Sequence, residues 1–182
     1  MTSVTVLPFG RPLTRADLRD LPDDGHRYEL IDGMLLVSPA PRIPHQLVVG
    51  RLHLLLSTTC PPDLYVLMAP TAVALAEDTE VQPDLLVAPR SQFTETELAG
   101  PPLLAVEVLS ASTRRVDLLL KRDRYEAAGV PSYWLVDPDE LTITVLELQH
   151  GGYVEVAVLQ GSEPHALVRP FPLSLAGDDL LT

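Results

Sequence analysis

Two acidic residues and one lysine of this chain are set in or beside apolar segments. Glu107 is flanked on both sides by apolar residues within 103–109, and Asp84 directly precedes the apolar run 85–87. Burying an unpaired carboxylate is costly, so a cation, a metal ion or a proton must compensate the charge. Two such acids can jointly bind a hard divalent cation such as Mg²⁺, which prefers oxygen ligands.

Lys121 is the single lysine of the chain, and the other 12 of its 13 basic residues are arginines. A helix is predicted over residues 115–128. In it, Leu118, Lys121 and Tyr125 recur at spacings of three and four, which places them on one stripe. Lys121 therefore shares the face expected to pack on a sheet. Its ammonium could pair with the acids, orient a water molecule or stabilise charge developing on a phosphate.

Each of these residues also has a purely structural interpretation. Glu107 and Lys121 could form a buried ion pair without catalysis, and Asp84 after a proline could be a turn residue. The arginines near Lys121 could form a solvated helix face. A two-carboxylate glycosidase would use the acids but would leave the lysine without a role, and aromatic residues, which stack on sugars, make up only 5% of the chain.

A basic patch interrupts an otherwise acidic chain, whose formal net charge is −12. That charge disfavours broad non-specific binding to nucleic acid, because phosphate affinity comes largely from Lys and Arg. Five basic residues nevertheless cluster within eleven positions: Arg114, Arg115, Lys121, Arg122 and Arg124. We refer to them as the 114–124 patch, and we expect it to contact phosphates.

The hydrophobic pattern predicts an α/β protein with a mixed sheet. Helices are predicted over 15–21, 45–57 and 115–128; Thr14 and Asp17 form a capping box for the first, and Gly129 ends the last. Asp32-Gly33 between two apolar runs predicts a β-hairpin. Further strands are predicted over 64–68, 71–75, 84–87, 103–109 and 132–136, followed by a hairpin of 142–148 with 153–159. Residues 161–182 are predicted to form a proline-containing tail.

Length and composition predict one domain over residues 1–182, with 46% hydrophobic and 21% charged residues. No apolar run is long enough to span a bilayer, the start lacks a signal-peptide pattern, and one cysteine cannot form an intrachain disulfide. We therefore expect a cytoplasmic protein without membrane contact. The exposed edge of the last hairpin and the apolar tail predict a homodimer.

Several short motifs, taken together, resemble a known family. They are Tyr28-Glu29-Leu30-Ile31-Asp32-Gly33, His45, Val81-Gln82-Pro83-Asp84, Val106-Glu107-Val108-Leu109-Ser110, Lys121 with Tyr125, Gly129-Val130, and Tyr133-Trp134-Leu135-Val136-Asp137-Pro138. In order and spacing, over about residues 12–150, they resemble the Uma family of restriction-endonuclease-like proteins in the PD-(D/E)XK nuclease superfamily. The resemblance implies a restriction-endonuclease-like core with flanking helices.

The same resemblance implies roles for individual residues. It implies that Asp84 and Glu107 bind a divalent metal ion, Mg²⁺ or Mn²⁺, helped by the backbone carbonyl of Val108. Glu29 is then an auxiliary acid of the site. The superfamily motif has a lysine two residues after the glutamate, where this chain has a leucine. In the Uma-like arrangement that lysine lies on the following helix, and Lys121 fits the position.

The sequence thus favours a Mg²⁺-dependent nuclease acting on nucleic acid. DNA is the expected partner, but no base-reading element is visible, so DNA, RNA and branched structures all stay open as substrates. The rival hypothesis is a catalytically silent, dimeric binding or regulatory protein that keeps the fold because its core needs the ion pair. His45 could contact a phosphate or water, but we favour a helix-start residue bonded to backbone. Asp137 before Pro138 is interpreted as a turn residue.

Overall fold

The computed structural model describes residues 8, 10–22, 24–110 and 114–181. Within them the helices are α1 (Arg15–Arg19), α2 (Ile43–Thr59) and α3 (Arg122–Ala127), with a π-helical segment (Val116–Lys121) leading into α3 and 3₁₀ turns at Arg90–Gln92 and Gly177–Leu180. The strands are β1 (Arg27–Ile31), β2 (Met34–Ser38), β3 (Leu64–Met68), β4 (Ala72–Ala76), β5 (Thr79–Val81), β6 (Leu85–Pro89), β7 (Glu97–Ala99), β8 (Leu104–Val108), β9 (Ser132–Asp137), β10 (Thr142–Gln149), β11 (Gly152–Leu159), β12 (His165–Leu167) and β13 (Leu173–Leu175).

Two mixed sheets form the body of the described chain, which confirms the predicted α/β class. The larger has the order β11-β10-β9-β8-β6-β3, and the smaller has the order β2-β1-β5-β4-β7. Strands β8 and β9 run parallel, joined through the π-helical segment and α3, and β6 pairs antiparallel with β8. In that register Leu85 lies opposite Val106, so the residue before β6, Asp84, falls opposite Glu107.

The two faces of the six-stranded sheet pack on different cores. One face packs on α2 and on residues near the C-terminus, through side chains such as Leu52, Trp134 and Phe171. The other face packs against β1, β4, β5 and β7 of the five-stranded sheet and against α3, and it includes Leu86 and Ala105. Side chains alternate along a strand, so Asp84 shares a face with Leu86 and Glu107 shares one with Ala105. Both acids therefore face the second core.

Most predicted elements are confirmed, with shifted ends. The first hairpin turns at Asp32 and Gly33, whose φ angles of 51° and 73° fit the mirror-image turn that Asp-Gly favours. The amide of Thr14 bonds the Asp17 carboxylate at 2.8 Å, as the capping box requires. The helix α2 extends two residues beyond the prediction at each end, and the second hairpin joins β10 to β11.

Three predictions of secondary structure need correction. The helix predicted over 115–128 is π-helical between Val116 and Lys121 and α-helical only after that. Strands β5 and β7 were not predicted, because three residues are too few to show a periodic pattern. The supposed tail contains β12 and β13, and Leu175 and Leu180 within it are buried in the first core. Tertiary contacts, which a local pattern does not reveal, hold these short elements.

None of the helices in the described ranges combines the length and the apolar character needed to cross a bilayer.

The turn at Gly33 generates a stability prediction. Gly33 is buried, has a φ of 73°, and a Cβ there would collide with the Pro12 ring and lie 3.0 Å from its Cα. Gly151, with a φ of 87° and no atom within 4 Å of such a Cβ, is the matched control. The left-handed conformation alone costs a non-glycine residue roughly 1–2 kcal/mol. We expect Gly33→Ala to lower the free energy of unfolding by at least about 1 kcal/mol more than Gly151→Ala, because overpacking adds to that strain.

Urea unfolding of both variants measures this difference. Equal losses would contradict the close packing of Pro12 on the turn.

Candidate active site

A cavity of about 600 Å³ lies where the open end of the β1–β2 hairpin meets the start of α2, the π-helical segment and the six-stranded sheet. All four side chains singled out from the sequence line it: Glu29, Asp84, Glu107 and Lys121. A further acid, Asp117, lines it as well. The fold therefore brings the candidate residues into one place, although they are spread over 92 positions between Glu29 and Lys121.

Lys121 lies at the inner side of this cavity, with 3% of its surface exposed. Its Nζ is 2.9 Å from Glu29 Oε1, 3.0 Å from Glu107 Oε1 and 3.7 Å from Asp117 Oδ1. Burial by itself would lower the pKa of Lys121, but the charges of these acids outweigh burial and raise it. The amine is thus a permanent cation bound by three elements of the fold.

Glu107 is buried on β8, with 2% of its surface exposed. Its Oε1 accepts hydrogen bonds from Lys121 Nζ and, at 3.0 Å, from the hydroxyl of Tyr125 on α3. Burial raises its pKa well above the ordinary range, the charge of Lys121 opposes this, and the nearby acids add to it. A further positive charge in the cavity would lower this pKa and favour the carboxylate form of Glu107.

Asp84 is held differently, at the mouth of β6. Its Oδ2 accepts the backbone N–H of Val108 at 2.8 Å and lies 3.1 Å from His45 Nε2, and its Oδ1 lies 3.2 Å from Arg27 Nη1. Burial would raise the pKa of Asp84, but the hydrogen bond and charge of His45, the charge of Arg27 and the Val108 amide together lower it. Asp84 is therefore held as a carboxylate, with Oδ1 directed at Arg27 and Oδ2 at His45 and the Val108 amide.

Arg27 completes the cluster from β1. Its guanidinium reaches Asp84, lies 3.6 Å from Glu29 Oε2 and donates a hydrogen bond to the carbonyl of Gln82. The other oxygen of Glu29, Oε1, accepts the backbone N–H of Gln82 at 2.7 Å. Arg27 thus bridges two of the acids on the cavity side of the cluster, while Lys121 lies on the inner side.

The donor chemistry of the cavity suits a divalent cation. Carboxylate oxygens are the ligands that Mg²⁺ prefers, and Asp84 and Glu107 lie opposite each other on paired backbone. Four carboxylates face the permanent cations Arg27 and Lys121, so full ionisation would leave an excess of two negative charges. Even so, no three acidic, imidazole or thiol side chains among the described residues converge as a ready ligand set. The acids instead face the two cations.

The structure corrects the favoured interpretation of His45. The sequence favoured a helix-start residue bonded to backbone, but its Nε2 bonds the carboxylate of Asp84 instead. Within the described chain its buried Nδ1 has no hydrogen-bond partner. His45 therefore belongs to the candidate site, and the alternative of a phosphate or water contact stays a prediction. Its partner lies 39 residues away, so no local pattern could have revealed it.

Two further members of the cluster were missed by the sequence reasoning although each had a local signal. Arg27 precedes Glu29 by two positions in a strand, and residues at that spacing share a face. Asp117 precedes Lys121 by four positions in a helical segment, where opposite charges are neighbours.

Several basic side chains of the 114–124 patch are already paired with acids or buried, so fewer of them are available to bind phosphate than the composition suggests. Arg114 Nη1 lies 2.8 Å from Asp137 Oδ2, Arg124 Nη1 lies 3.1 Å from Asp32 Oδ1, and Lys121 is buried. Arg115 is exposed.

The predicted turn role of Asp137 is confirmed, since its Oδ1 accepts the backbone N–H groups of residues 139 and 140 at 3.0 and 3.2 Å. The metal role of the Val108 carbonyl stays a prediction; the described contact is that of its amide with Asp84.

Comparison with known proteins identifies the family. The chain is similar to a solved structure described as a putative nuclease belonging to DUF820, from Anabaena variabilis ATCC 29413, with 24% sequence identity, a TM-score of 0.73, and coverage of 93% of this chain and 97% of that one. At that identity the likeness shows the fold alone. No curated protein matches this chain at a significant level. Residues 15–180 match the family model Uma2, described as "Putative restriction endonuclease". The match confirms the resemblance seen in the motifs, and the chain belongs to the Uma2 family.

Proposed function

We propose that this protein is a divalent-metal-dependent nuclease that hydrolyses phosphodiester bonds of nucleic acid, with DNA as the favoured substrate. The observation that carries the proposal is the convergence of Glu29, Asp84 and Glu107 on one cavity with the buried ammonium of Lys121. Membership of the Uma2 family and the nuclease-like fold support it.

In this proposal Asp84 and Glu107 hold one Mg²⁺ or Mn²⁺, with the carbonyl of Val108 as a third oxygen. The chemistry such an ion supplies is activation of a water molecule and neutralisation of the scissile phosphate. Each of the two carboxylates is already positioned by the protein. The Val108 amide fixes Asp84, and the Tyr125 hydroxyl fixes Glu107.

Lys121 is the proposed catalytic cation. Its ammonium could orient the attacking water or donate to a phosphate oxygen on which charge develops in the transition state. Glu29 and Asp117 act as positioning residues, because they hold the ammonium from two further elements of the fold. A buried, rigidly held charge stabilises a transition state more effectively than the same charge in bulk water.

Nucleic acid would approach over the 114–124 patch. Arg114 already pairs with Asp137, and the side chain of Arg114 is 52% exposed. Water partly screens the pair on the exposed arginine side, although Asp137 is buried, so a phosphate can compete with the aspartate for the guanidinium. The exposed Arg115 adds a second contact, and few phosphates are engaged in total.

The rival function, a silent binding or regulatory protein, is favoured by one observation. The acids of the described cluster face Arg27 and Lys121 instead of converging as a ligand set. We propose a homodimer under either function, because β11 is an edge strand and exposes Val154, Val156 and Val158. Location in the cytoplasm likewise stays a proposal.

A cleavage assay separates the two functions. Duplex, single-stranded and branched DNA and RNA are incubated with the protein and Mg²⁺ or Mn²⁺, with a chelator control. We expect cleavage that needs the metal and that Glu107→Gln abolishes. Asp123→Asn is the matched control and should retain cleavage, because Asp123 is an exposed acid two residues after Lys121 and does not line the cavity. Absence of cleavage on every substrate with both ions would contradict the nuclease proposal and support the silent alternative.

Lys121→Arg tests the proposed catalytic cation. Arginine keeps the charge, but it presents a planar fork on a longer side chain and does not fit a site built around a compact ammonium. We expect metal-dependent cleavage to fall by at least about 100-fold, as for loss of one electrostatic contact to the transition state. Arg19→Lys, the reverse change at an exposed arginine of α1 outside the cavity lining and the 114–124 patch, should leave cleavage unchanged.

Thermal unfolding of both variants shows whether the fold survives. Wild-type cleavage by a folded Lys121→Arg variant would remove Lys121 from the mechanism.

A further inference from the structure

We propose that Arg27 is a resident cation of the candidate site, and that a divalent ion binds Asp84 only when the Arg27 guanidinium moves away from it. This inference rests on the proposed metal site. It assigns to Arg27 control of metal binding, a role that neither the family match nor the motif pattern gives it.

The first observation is which oxygens Arg27 covers. Asp84 Oδ2 is already engaged by the Val108 amide and by His45, so Oδ1 is the oxygen left for another cation, and Arg27 Nη1 lies 3.2 Å from it. Glu29 shows the same division. Its Oε1 is engaged by the Gln82 amide and by Lys121, and its Oε2 lies 3.6 Å from Arg27 Nη2. The guanidinium therefore faces the Asp84 oxygen that a metal ion would need, and it also faces the neighbouring oxygen of Glu29.

The second observation is that the two cations of the cluster are held unequally. Lys121 has 3% of its side chain exposed and lies within 3.7 Å of three carboxylates. The side chain of Arg27 is 26% exposed and lines the open cavity, and its buried Nε has no hydrogen-bond partner within the described residues. Arg27 is held by Asp84, Glu29 and the Gln82 carbonyl, but its side chain reaches the open cavity. It is thus the cation that can leave its position, while Lys121 is fixed.

The third observation is the charge balance. With Arg27 in place, the cluster is short of positive charge by two if every acid is ionised, and withdrawal of the guanidinium from Asp84 increases that deficit. A divalent ion at the vacated oxygens then restores the balance at a site where buried charges must be compensated. The guanidinium stays tethered to β1 at the cavity wall, where its planar fork suits a phosphate oxygen of a substrate.

Direct measurement of Mn²⁺ binding tests the inference without an activity assay. Free Mn²⁺ is followed by electron paramagnetic resonance during titration of wild type, Arg27→Gln and Arg42→Gln. Arg42 is an exposed arginine that lines the same cavity, so it controls for the loss of a nearby positive charge. Affinity measured in wild type is reduced by the fraction of molecules in which Arg27 blocks the site, and removing the block should tighten binding by at least about fivefold. Arg42→Gln should stay within about twofold of wild type.

The outcomes are distinct. Mn²⁺ binding by wild type that is no tighter in Arg27→Gln, or is equally tightened in Arg42→Gln, would overturn the role of Arg27 and leave the metal site standing. Folded wild type and variants that all fail to bind Mn²⁺ would overturn the proposed function, and this inference with it. If Arg27→Gln does not fold, Arg27→Met, which keeps the apolar part of the side chain, provides the same comparison. Adding Asp84→Asn to the tighter variant should remove the gain and so locate the ion.

Discussion

The buried ammonium of Lys121 sets the constraint on which the rest of the site depends. It can stay charged out of contact with water only if carboxylates reach it, and these come from β1, β8 and the π-helical segment as Glu29, Glu107 and Asp117. The ion pairs therefore tie the five-stranded sheet, the six-stranded sheet and the connection between β8 and β9 together at one point. Removing one partner of such a buried pair costs about 3–5 kcal/mol, because it leaves a charge uncompensated. The register of each element must accordingly deliver its acid to this position.

Several of these features could be read from the sequence, and others could not. Glu107 and Lys121 were predicted because charged residues in an apolar run, or on the buried stripe of a helix, give a local signal. Glu29 came only from the family resemblance. The contact between His45 and Asp84 depends on packing of α2 against the sheet, which no local pattern encodes. The strands β5, β7, β12 and β13 are held by their partners, and three residues are too few for a period to show.

The arrangement also relates the two proposed functions to each other. An inner cation fixed by three acids and an outer one that contacts Asp84 and shares Glu29 with it form a cluster that needs no further ligand. Such a cluster is all that a silent member of the family needs. The same cluster becomes a metal site if the outer cation yields its oxygens, because Asp84 and Glu107 already lie opposite each other on paired backbone. On the proposals above, cleavage of nucleic acid would depend on how tightly Arg27 holds Asp84, and not on a different fold.

A structure with Mn²⁺ bound tests this account most directly. Anomalous diffraction from crystals grown with Mn²⁺ locates the ion without any assumption about activity. We predict one ion in the cavity, bound by a carboxylate oxygen of Asp84 and one of Glu107, with the Arg27 guanidinium withdrawn from Asp84 and Lys121 in place. An ion bound only at the protein surface, with Arg27 still on Asp84 in a Mn²⁺-saturated crystal, would contradict the account.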